Sequence, residues 1–181
     1  MDYAKAFHLV AKASIKANVP CILIGGFAIN FYNVTRNTLD VDFLITKDDF
    51  EKIKKTLLDA GYAENFATDI TIRLSSKRDD LDIDFVMVDD STRDRIISDG
   101  KEVKVVGERL TVPSVDHLIT LKLHAIKNNK KNRMWKDMPD IIRLIQANNV
   151  DCESEAFKRA CLKYGDVDIY KTILKNCGKD R

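Results

Sequence analysis

Residues 38–45, with the sequence TLDVDFLI, constrain the fold of this chain more than any other segment. Two aspartates alternate with apolar residues there and lead into an apolar run, a pattern that favours a β-strand. Side chains two positions apart on a strand point to the same face, so Asp40 and Asp42 project together. The alternative is an acidic pair at a strand edge facing water, but aspartate is disfavoured in strands and neither residue sits in a turn.

A second acidic pair lies on a later predicted strand. Asp82 and Asp84 are also two positions apart, and Asp84 is followed directly by the apolar residues 85–88. Carboxylates from two neighbouring strands repel one another unless cations neutralise them, and hard oxygen ligands suit Mg²⁺. One further carboxylate is enough, and we favour Asp84 over Asp82 because of its place before the apolar run. The alternative is a solvated acidic turn, since Asp79 and Asp80 come just before this pair.

A glycine doublet, Gly25-Gly26, ends the short apolar segment 21–24. Glycine lets a phosphate approach the backbone closely, and a turn that leads into a helix offers backbone N–H groups to it. The alternative is an ordinary strand-to-helix turn. Together with the acidic pairs, the doublet predicts metal-dependent chemistry on a nucleoside triphosphate.

Hydrophobic periodicity and turn signals predict strands and helices in mixed order up to residue 112, and helices only after it. The predicted strands are 21–24, 40–45, 70–74, 81–88, 103–106 and 110–112. The predicted helices are 3–17, 27–32, one from Asp48 or Asp49 to Ala60, 93–98, 115–127, 135–147, 153–164 and 167–176. We expect an α+β fold, a mixed β-sheet flanked by helices. Residues 1–112 are the expected core, and residues 113–181 a C-terminal helical extension packed on it as a single structural unit.

Composition narrows the function further. The formal net charge of the 181 residues is +2, so any nucleic-acid-binding surface has to be local. The four cysteines lack the spacing of a zinc site, and reduced thiols fit a cytoplasmic protein. The N-terminal residues lack the apolar stretch of a signal peptide, and no apolar run is long enough to span a bilayer. We therefore expect a globular cytoplasmic protein with no membrane partner.

The order of these elements, with their glycines and aspartates, resembles the nucleotidyltransferase superfamily that includes DNA polymerase beta. The fuller string RNTLDVDF, residues 36–43, is similar to the branch that contains abortive-infection (AbiEii-type) toxins and related minimal nucleotidyltransferases. The resemblance implies transfer of a nucleoside monophosphate from a nucleoside triphosphate such as ATP to an acceptor hydroxyl, with release of pyrophosphate. RNA, a protein and a small molecule are all possible acceptors, and two Mg²⁺ ions are the implied cofactors.

The resemblance also assigns roles to individual residues. The implied metal ligands and catalytic carboxylates are Asp40, Asp42 and Asp84. The implied nucleotide-binding residues are Gly25, Gly26, Arg36, Thr38 and Lys122. In the resembling toxins the arginine lies beside the nucleotide, and a guanidinium suits phosphate. For Arg36 and Thr38 the alternative is that they cap the start of the second strand.

A lysine-bearing helix and a later Lys-Asp pair are further features of that branch, and they match Lys122 and Lys136-Asp137. Lys122 and Asp137 both lie on apolar stripes of their predicted helices, where charged residues are rare without a partner or a task. Two interpretations stay open: Lys122 binds the triphosphate and Asp137 is a catalytic general base, or the two form a structural ion pair. Lys136 and Asp140, four residues apart, are expected to pair on the polar face.

The segment from Lys127 to Lys136 holds a dense basic cluster, and residues 128–133 read as a linker between helices. This segment is either a solvated loop or a contact for RNA phosphates. Trp135 is expected in the core.

The toxin branch also implies a cognate antitoxin or other partner protein. The rival interpretation is a catalytically idle module that binds a nucleotide or a partner, but such a module has no need of three metal-binding carboxylates.

Overall fold

A seven-stranded mixed sheet forms before residue 113 in the computed structural model, which describes residues 3–76 and 81–178. Its strands are β1 (Ile22–Ile24), β2 (Asp40–Ile45), β3 (Tyr62–Ala67), β4 (Thr71–Ser76), β5 (Asp82–Met87), β6 (Lys101–Val105) and β7 (Glu108–Val112). The helices among them are α1 (Tyr3–Ala17), α2 (Gly25–Ile29), α3 (Lys47–Asp59) and α4 (Asp90–Asp99). The predicted α+β class, a mixed sheet flanked by helices, is confirmed.

The described chain after the sheet is helical. Its helices are α5 (Val115–Asn128), α6 (Lys130–Ala147), α7 (Glu155–Tyr164) and α8 (Val167–Cys177). The chain divides into two compact units: a sheet unit, Met1–Ala28 with Arg36–Ser114, and a helical unit, Ile29–Thr35 with Val115–Arg181. The predicted boundary after residue 112 and the predicted packing of the extension on the core stay predictions.

Two parallel strands, β2 and β5, lie side by side within the sheet, whose order is β3-β4-β5-β2-β1-β7-β6. Their register runs from Asp40 opposite Asp82 to Ile45 opposite Met87, without a bulge. Strand β1 pairs antiparallel with β2, and β4 pairs antiparallel with β5. The acidic strands therefore have a hydrogen-bonded neighbour on each side, which holds their side chains in fixed positions.

An aromatic cluster packs beneath these strands. The Phe43 and Phe85 rings, at facing positions of β2 and β5, stack with centroids 5.9 Å apart. Phe50 of α3 meets Phe85 edge to face at 5.2 Å, and Phe7 of α1 meets Phe43 at 6.2 Å. All four rings are buried. Each acidic strand thus places its apolar residues in the core while its aspartates project from the other face.

Helix α3 begins differently from the prediction. Its N-cap is Thr46, whose hydroxyl accepts a hydrogen bond from the backbone N–H of Asp49, and the helix starts at Lys47. The prediction of Asp48 or Asp49 as the cap is wrong. The Asp49 carboxylate instead pairs with Lys52 and with Arg93 of α4, at 2.6 and 2.9 Å. A threonine directly after a strand has the extended backbone that an N-cap requires.

Strand β3 was missed by the sequence analysis. Only Tyr62 among its six residues is buried, so the alternation that predicts a strand is absent. The strand forms at the edge of the sheet by antiparallel pairing with β4. Strand β4 extends to Ser76, two residues beyond its predicted end. The acidic residues Asp79 and Asp80, predicted in a turn, lie outside the described residues.

The basic segment after α5 is helical rather than a linker. Helix α6 begins at Lys130, so Asn129 alone separates it from α5. The prediction of a linker over residues 128–133 is wrong, since lysine and arginine are good helix formers. Trp135 is 74% exposed, so its assignment to the core is wrong as well. Among the described residues, no helix has the length and apolar character needed to cross a membrane.

Candidate active site

Three carboxylates converge where the acidic strands lie side by side. Asp40 and Asp42 project from β2, and Asp84, the register partner of Asp42, projects from β5. One carboxylate oxygen from each of the three lies within 4.8 Å of the others. Asp84 is buried, and Asp40 and Asp42 are half-buried. Three oxygen ligands at this separation are a donor set for a hard divalent cation.

The glycine turn adjoins this cluster, because Ile24, the last residue of β1, pairs with Asp42. Gly25 follows with φ +65°, a conformation that disfavours other residues. A Cβ atom at Gly25 would lie 1.9 Å from Asp42 Oδ2, so no other residue fits without moving that carboxylate. At Gly26 a Cβ would lie 2.9 Å from Thr38 Cβ. The glycines therefore begin α2, and their missing side chains leave room for Asp42 and for Thr38.

Thr38 and Arg36, two of the predicted nucleotide-binding residues, precede β2. The Thr38 hydroxyl donates a short hydrogen bond to Asp40 Oδ1 and lies 3.3 Å from the Asp40 carbonyl oxygen. Arg36 donates to the Asn37 carbonyl oxygen at 2.9 Å. Thr38 thus fixes the side chain of a candidate metal ligand. Its contact to a nucleotide, like that of Arg36, stays a prediction.

Arg73 is the residue of this site that the sequence analysis missed. It lies on β4 opposite Asp84, and its Nε and one terminal nitrogen donate to Asp84 Oδ1 and Oδ2 at 2.6 and 2.5 Å. The hydrogen bond to Asp84 raises the pKa of the Arg73 guanidinium, and the charges of Asp40 and Asp82 add to this rise. The one signal in the sequence was its place on the strand before Asp84, because a hairpin brings such residues face to face.

In the helical unit, Lys122 of α5 is ion-paired with two carboxylates of α6. Its Nζ lies 2.9 Å from Asp137 Oδ1 and 2.8 Å from Asp140 Oδ2. Lys122 is 9% exposed, Asp137 3% and Asp140 2%. The expected position of Asp140 on a polar face is therefore wrong, because Asp140 faces inwards. Asp137 Oδ2 is buried and has no hydrogen-bond partner among residues 3–76 and 81–178, and Arg133 Nη1 lies 3.7 Å away.

Several members of the basic segment contact the rest of the helical unit. Lys127 donates to the Lys163 carbonyl oxygen at 3.0 Å, and Lys130 pairs with Asp166 at 3.0 Å. Arg133 lies beside Asp137, as described above. Part of the positive charge of this segment is therefore already paired with carbonyl and carboxylate oxygens of the helical unit.

A mixed sheet with a glycine turn beside carboxylates from parallel neighbouring strands is the arrangement that a nucleotidyltransferase needs to hold metal and phosphate together. The chain belongs to the family described as "uncharacterised nucleotidyltransferase", whose sequence model matches residues 3–177. The protein is therefore an enzyme of the nucleotide-transferring class, and the predicted superfamily is confirmed. A comparison with curated protein sequences gives no match.

Several solved structures share the fold. ANT(2'')-Ia, in complex with adenylyl-2''-tobramycin, is 14% identical with a TM-score of 0.65, over 91% of this chain and 97% of that one. The lincosamide antibiotic adenylyltransferase LnuA, with lincomycin bound, is 14% identical with a TM-score of 0.54, over 81% and 98%. A putative nucleotidyltransferase from Thermotoga maritima is 12% identical with a TM-score of 0.53, over 74% and 92%. At these identities the likeness shows a common fold.

Proposed function

We propose that this enzyme transfers a nucleoside monophosphate from a nucleoside triphosphate to an acceptor hydroxyl and releases pyrophosphate. The observation that carries the proposal is the convergence of Asp40, Asp42 and Asp84 within 4.8 Å, beside a glycine turn. An idle nucleotide-binding module is the rival, and nothing in the geometry favours it over the enzyme.

The donor set fits a divalent metal, because all three groups offer carboxylate oxygens and Gly25 leaves room for the Asp42 carboxylate. Asp40, Asp42 and Asp84 would hold Mg²⁺, and we propose two ions. Bound there, the metal supplies charge neutralisation for the triphosphate and a Lewis acid for the acceptor oxygen.

The protein's own groups prepare this chemistry. Thr38 fixes the Asp40 carboxylate through its hydroxyl, and in the metal-free protein Arg73 pairs with Asp84 through two hydrogen bonds. Gly25 and Gly26 carry no side chain, which leaves their backbone accessible to phosphate oxygens. We propose that Arg36 supplies a further cationic contact for the phosphates, since a guanidinium pairs with two phosphate oxygens at once.

For the substrates, we propose ATP as donor and a small molecule as acceptor. Two structural neighbours support this: one is in complex with adenylyl-2''-tobramycin, and the other is an adenylyltransferase with lincomycin bound. RNA, through the segment from Lys127 to Lys136, and a protein hydroxyl are the alternative acceptors.

We also propose that the enzyme belongs to the toxin branch and has a cognate antitoxin as its partner. We propose a cytoplasmic location, which the free thiols of all four cysteines fit.

For Lys122 and Asp137, both predicted roles stay predictions. Their observed ion pair, which also includes Asp140, supports the structural one. We propose that this cluster joins α5 to α6 and that its contribution to turnover is secondary.

The proposal is tested by label transfer. The protein is incubated with each α-labelled nucleoside triphosphate, Mg²⁺ and, in separate reactions, a pool of small hydroxylated molecules, total RNA or total protein. We expect label in the small-molecule fraction with ATP, and none with Asp42→Asn or with chelator. Label in RNA or protein instead would replace the acceptor. If no nucleotide transfers label to any fraction while the protein is folded, the proposed function is wrong.

A further inference from the structure

The Arg73–Asp84 pair gives the candidate metal site a cation of its own. Both oxygens of Asp84 accept hydrogen bonds from the same guanidinium, in the parallel two-bond geometry that is among the strongest protein ion pairs. Asp84 is 7% exposed, so water screens this pair little at the carboxylate end. The Arg73 side chain itself is 42% exposed. The carboxylate of Asp84 is therefore buried, whereas the side chain of Arg73 is accessible to solvent.

The charge balance of the site follows from this pair. Three neighbouring carboxylates repel one another, and a guanidinium bonded to one of them offsets part of that repulsion. The charges of Asp40 and Asp82 also raise the pKa of the Arg73 guanidinium, so Arg73 offsets negative charge beyond that of Asp84 alone. A single positive charge does not neutralise three carboxylates, and the site therefore still attracts a divalent cation.

A metal ion and Arg73 compete for the same carboxylate. A divalent ion on Asp84 meets oxygens that already accept two short hydrogen bonds, and it is repelled by the adjacent guanidinium. Resting on the proposed function, we infer that Arg73 is the internal counter-ion of the metal site, which a divalent metal has to displace from Asp84 in order to bind. The exposed side chain gives the displaced guanidinium a path towards solvent or towards an incoming phosphate.

This role differs from that of an ordinary structural ion pair. A structural pair stabilises the fold equally with and without metal. A displaced counter-ion stabilises the metal-free protein and weakens metal binding. Its removal therefore lowers the stability of the metal-free protein and raises the affinity for metal. The two roles are therefore separable by measuring stability and metal affinity in the same variants.

The experiment measures Mn²⁺ binding without nucleotide, by calorimetry and by the loss of the free-ion electron spin resonance signal. The proteins are wild type, Arg73→Gln, Arg73→Lys, Asp42→Asn and Arg109→Gln. Arg109 is a matched control, because it is 75% exposed on β7 of the same sheet unit and pairs with Glu102. We expect Arg73→Gln to bind Mn²⁺ about tenfold or more tightly than wild type. Arg73→Lys should lie between the two, and Arg109→Gln should match wild type.

Thermal melts in chelator and in saturating Mn²⁺ provide the second readout. Arg73→Gln should melt below wild type in chelator, where three carboxylates are left without their counter-ion, and should gain more from Mn²⁺ than wild type does. If this variant fails to fold in chelator, Arg73→Lys carries the affinity comparison instead, since it keeps the charge and loses the two-bond geometry.

An Arg73→Gln affinity within twofold of the Arg109→Gln value, or weaker than wild type, overturns the inference. In that case loss of binding in Asp42→Asn would still support the proposed function. If neither wild type nor Arg73→Gln binds Mn²⁺, the inference is wrong, and label transfer decides the proposed function separately.

Discussion

Lys122 Nζ lies 2.9 Å from Asp137 Oδ1, and both side chains are almost completely buried between α5 and α6. Asp140 completes the cluster at 2.8 Å from the same ammonium group. One lysine therefore balances two inward-facing carboxylates, and Arg133 approaches the second oxygen of Asp137. This arrangement indicates which substitution in the cluster should lower the stability of the protein most.

Lys122→Met should cost about 3–5 kcal/mol of unfolding free energy, because it leaves two buried carboxylates without their cation. Urea titration with detection by circular dichroism measures the loss. The triple variant Lys122→Met, Asp137→Asn, Asp140→Asn removes all three charges and should recover much of the stability. A single variant as stable as wild type would contradict the structural role.

Asp137→Asn separates structure from catalysis. Because Asp140 still pairs with Lys122, we expect a loss of only about 1–2 kcal/mol. If the pair is structural, turnover per folded molecule should stay within a few-fold of wild type. A drop of about a hundredfold or more in kcat with an unchanged melting temperature would instead identify Asp137 as a general base.

Asp84→Asn and Asp82→Asn form a matched pair on one strand face. Asp84 belongs to the converging cluster, so its substitution should abolish Mg²⁺-dependent label transfer. Asp82, which lies opposite Asp40 and is half-buried, should tolerate the same change with a mild effect. Initial rates over a range of Mg²⁺ concentrations check this. The reverse ranking would move the third ligand two residues earlier.

Gly25→Ala should impair metal binding, because a Cβ there lies 1.9 Å from Asp42 Oδ2. Gly61→Ala is the control. Gly61 also has a positive φ, +99°, but within the described part of the chain no atom outside its two sequence neighbours lies within 4 Å of the added Cβ. Both should lose about 1–2 kcal/mol from the strained backbone conformation. Only Gly25→Ala should lose Mn²⁺ affinity in calorimetry. Equal affinities in the two variants would show that Asp42 tolerates the contact.

Asp49 should make stability depend on pH. Burial by itself would raise the pKa of its carboxyl, but the hydrogen bonds from Lys52, Thr46 and Arg93 outweigh this and lower the pKa. A depressed folded-state pKa means that the contribution is present above the unfolded-state pKa and is lost as pH falls through the folded-state value. The urea midpoint of wild type should therefore fall more between pH 6 and pH 2.5 than that of Asp49→Asn.

A control for the lost charge is Asp48→Asn, because Asp48 is exposed in the same turn of α3. Its urea midpoint should follow that of wild type over the same pH range. If Asp49→Asn and wild type lose stability in parallel, the Asp49 network does not contribute to the acid sensitivity.

The sequence by itself determined the sheet-forming half, the helical remainder and the two acidic strands. Strand β2 was predicted with its observed bounds, because local alternation and an apolar run suffice to specify a buried strand. The glycine turn was recognisable because a glycine doublet follows an apolar segment. The Asp40–Asp42 pair was recognisable because residues two positions apart on a strand lie on the same face.

The tertiary structure decided which side chains and which strands contact one another. Arg73 meets Asp84 only through the β4–β5 register, and Asp140 meets Lys122 only through the packing of α5 on α6. Strand β3 exists because β4 offers it an edge to pair with. Such contacts depend on which elements come together in space. Local periodicity shows which face of a strand or helix is buried. It does not show which charged residue of the neighbouring strand or helix will lie against that face.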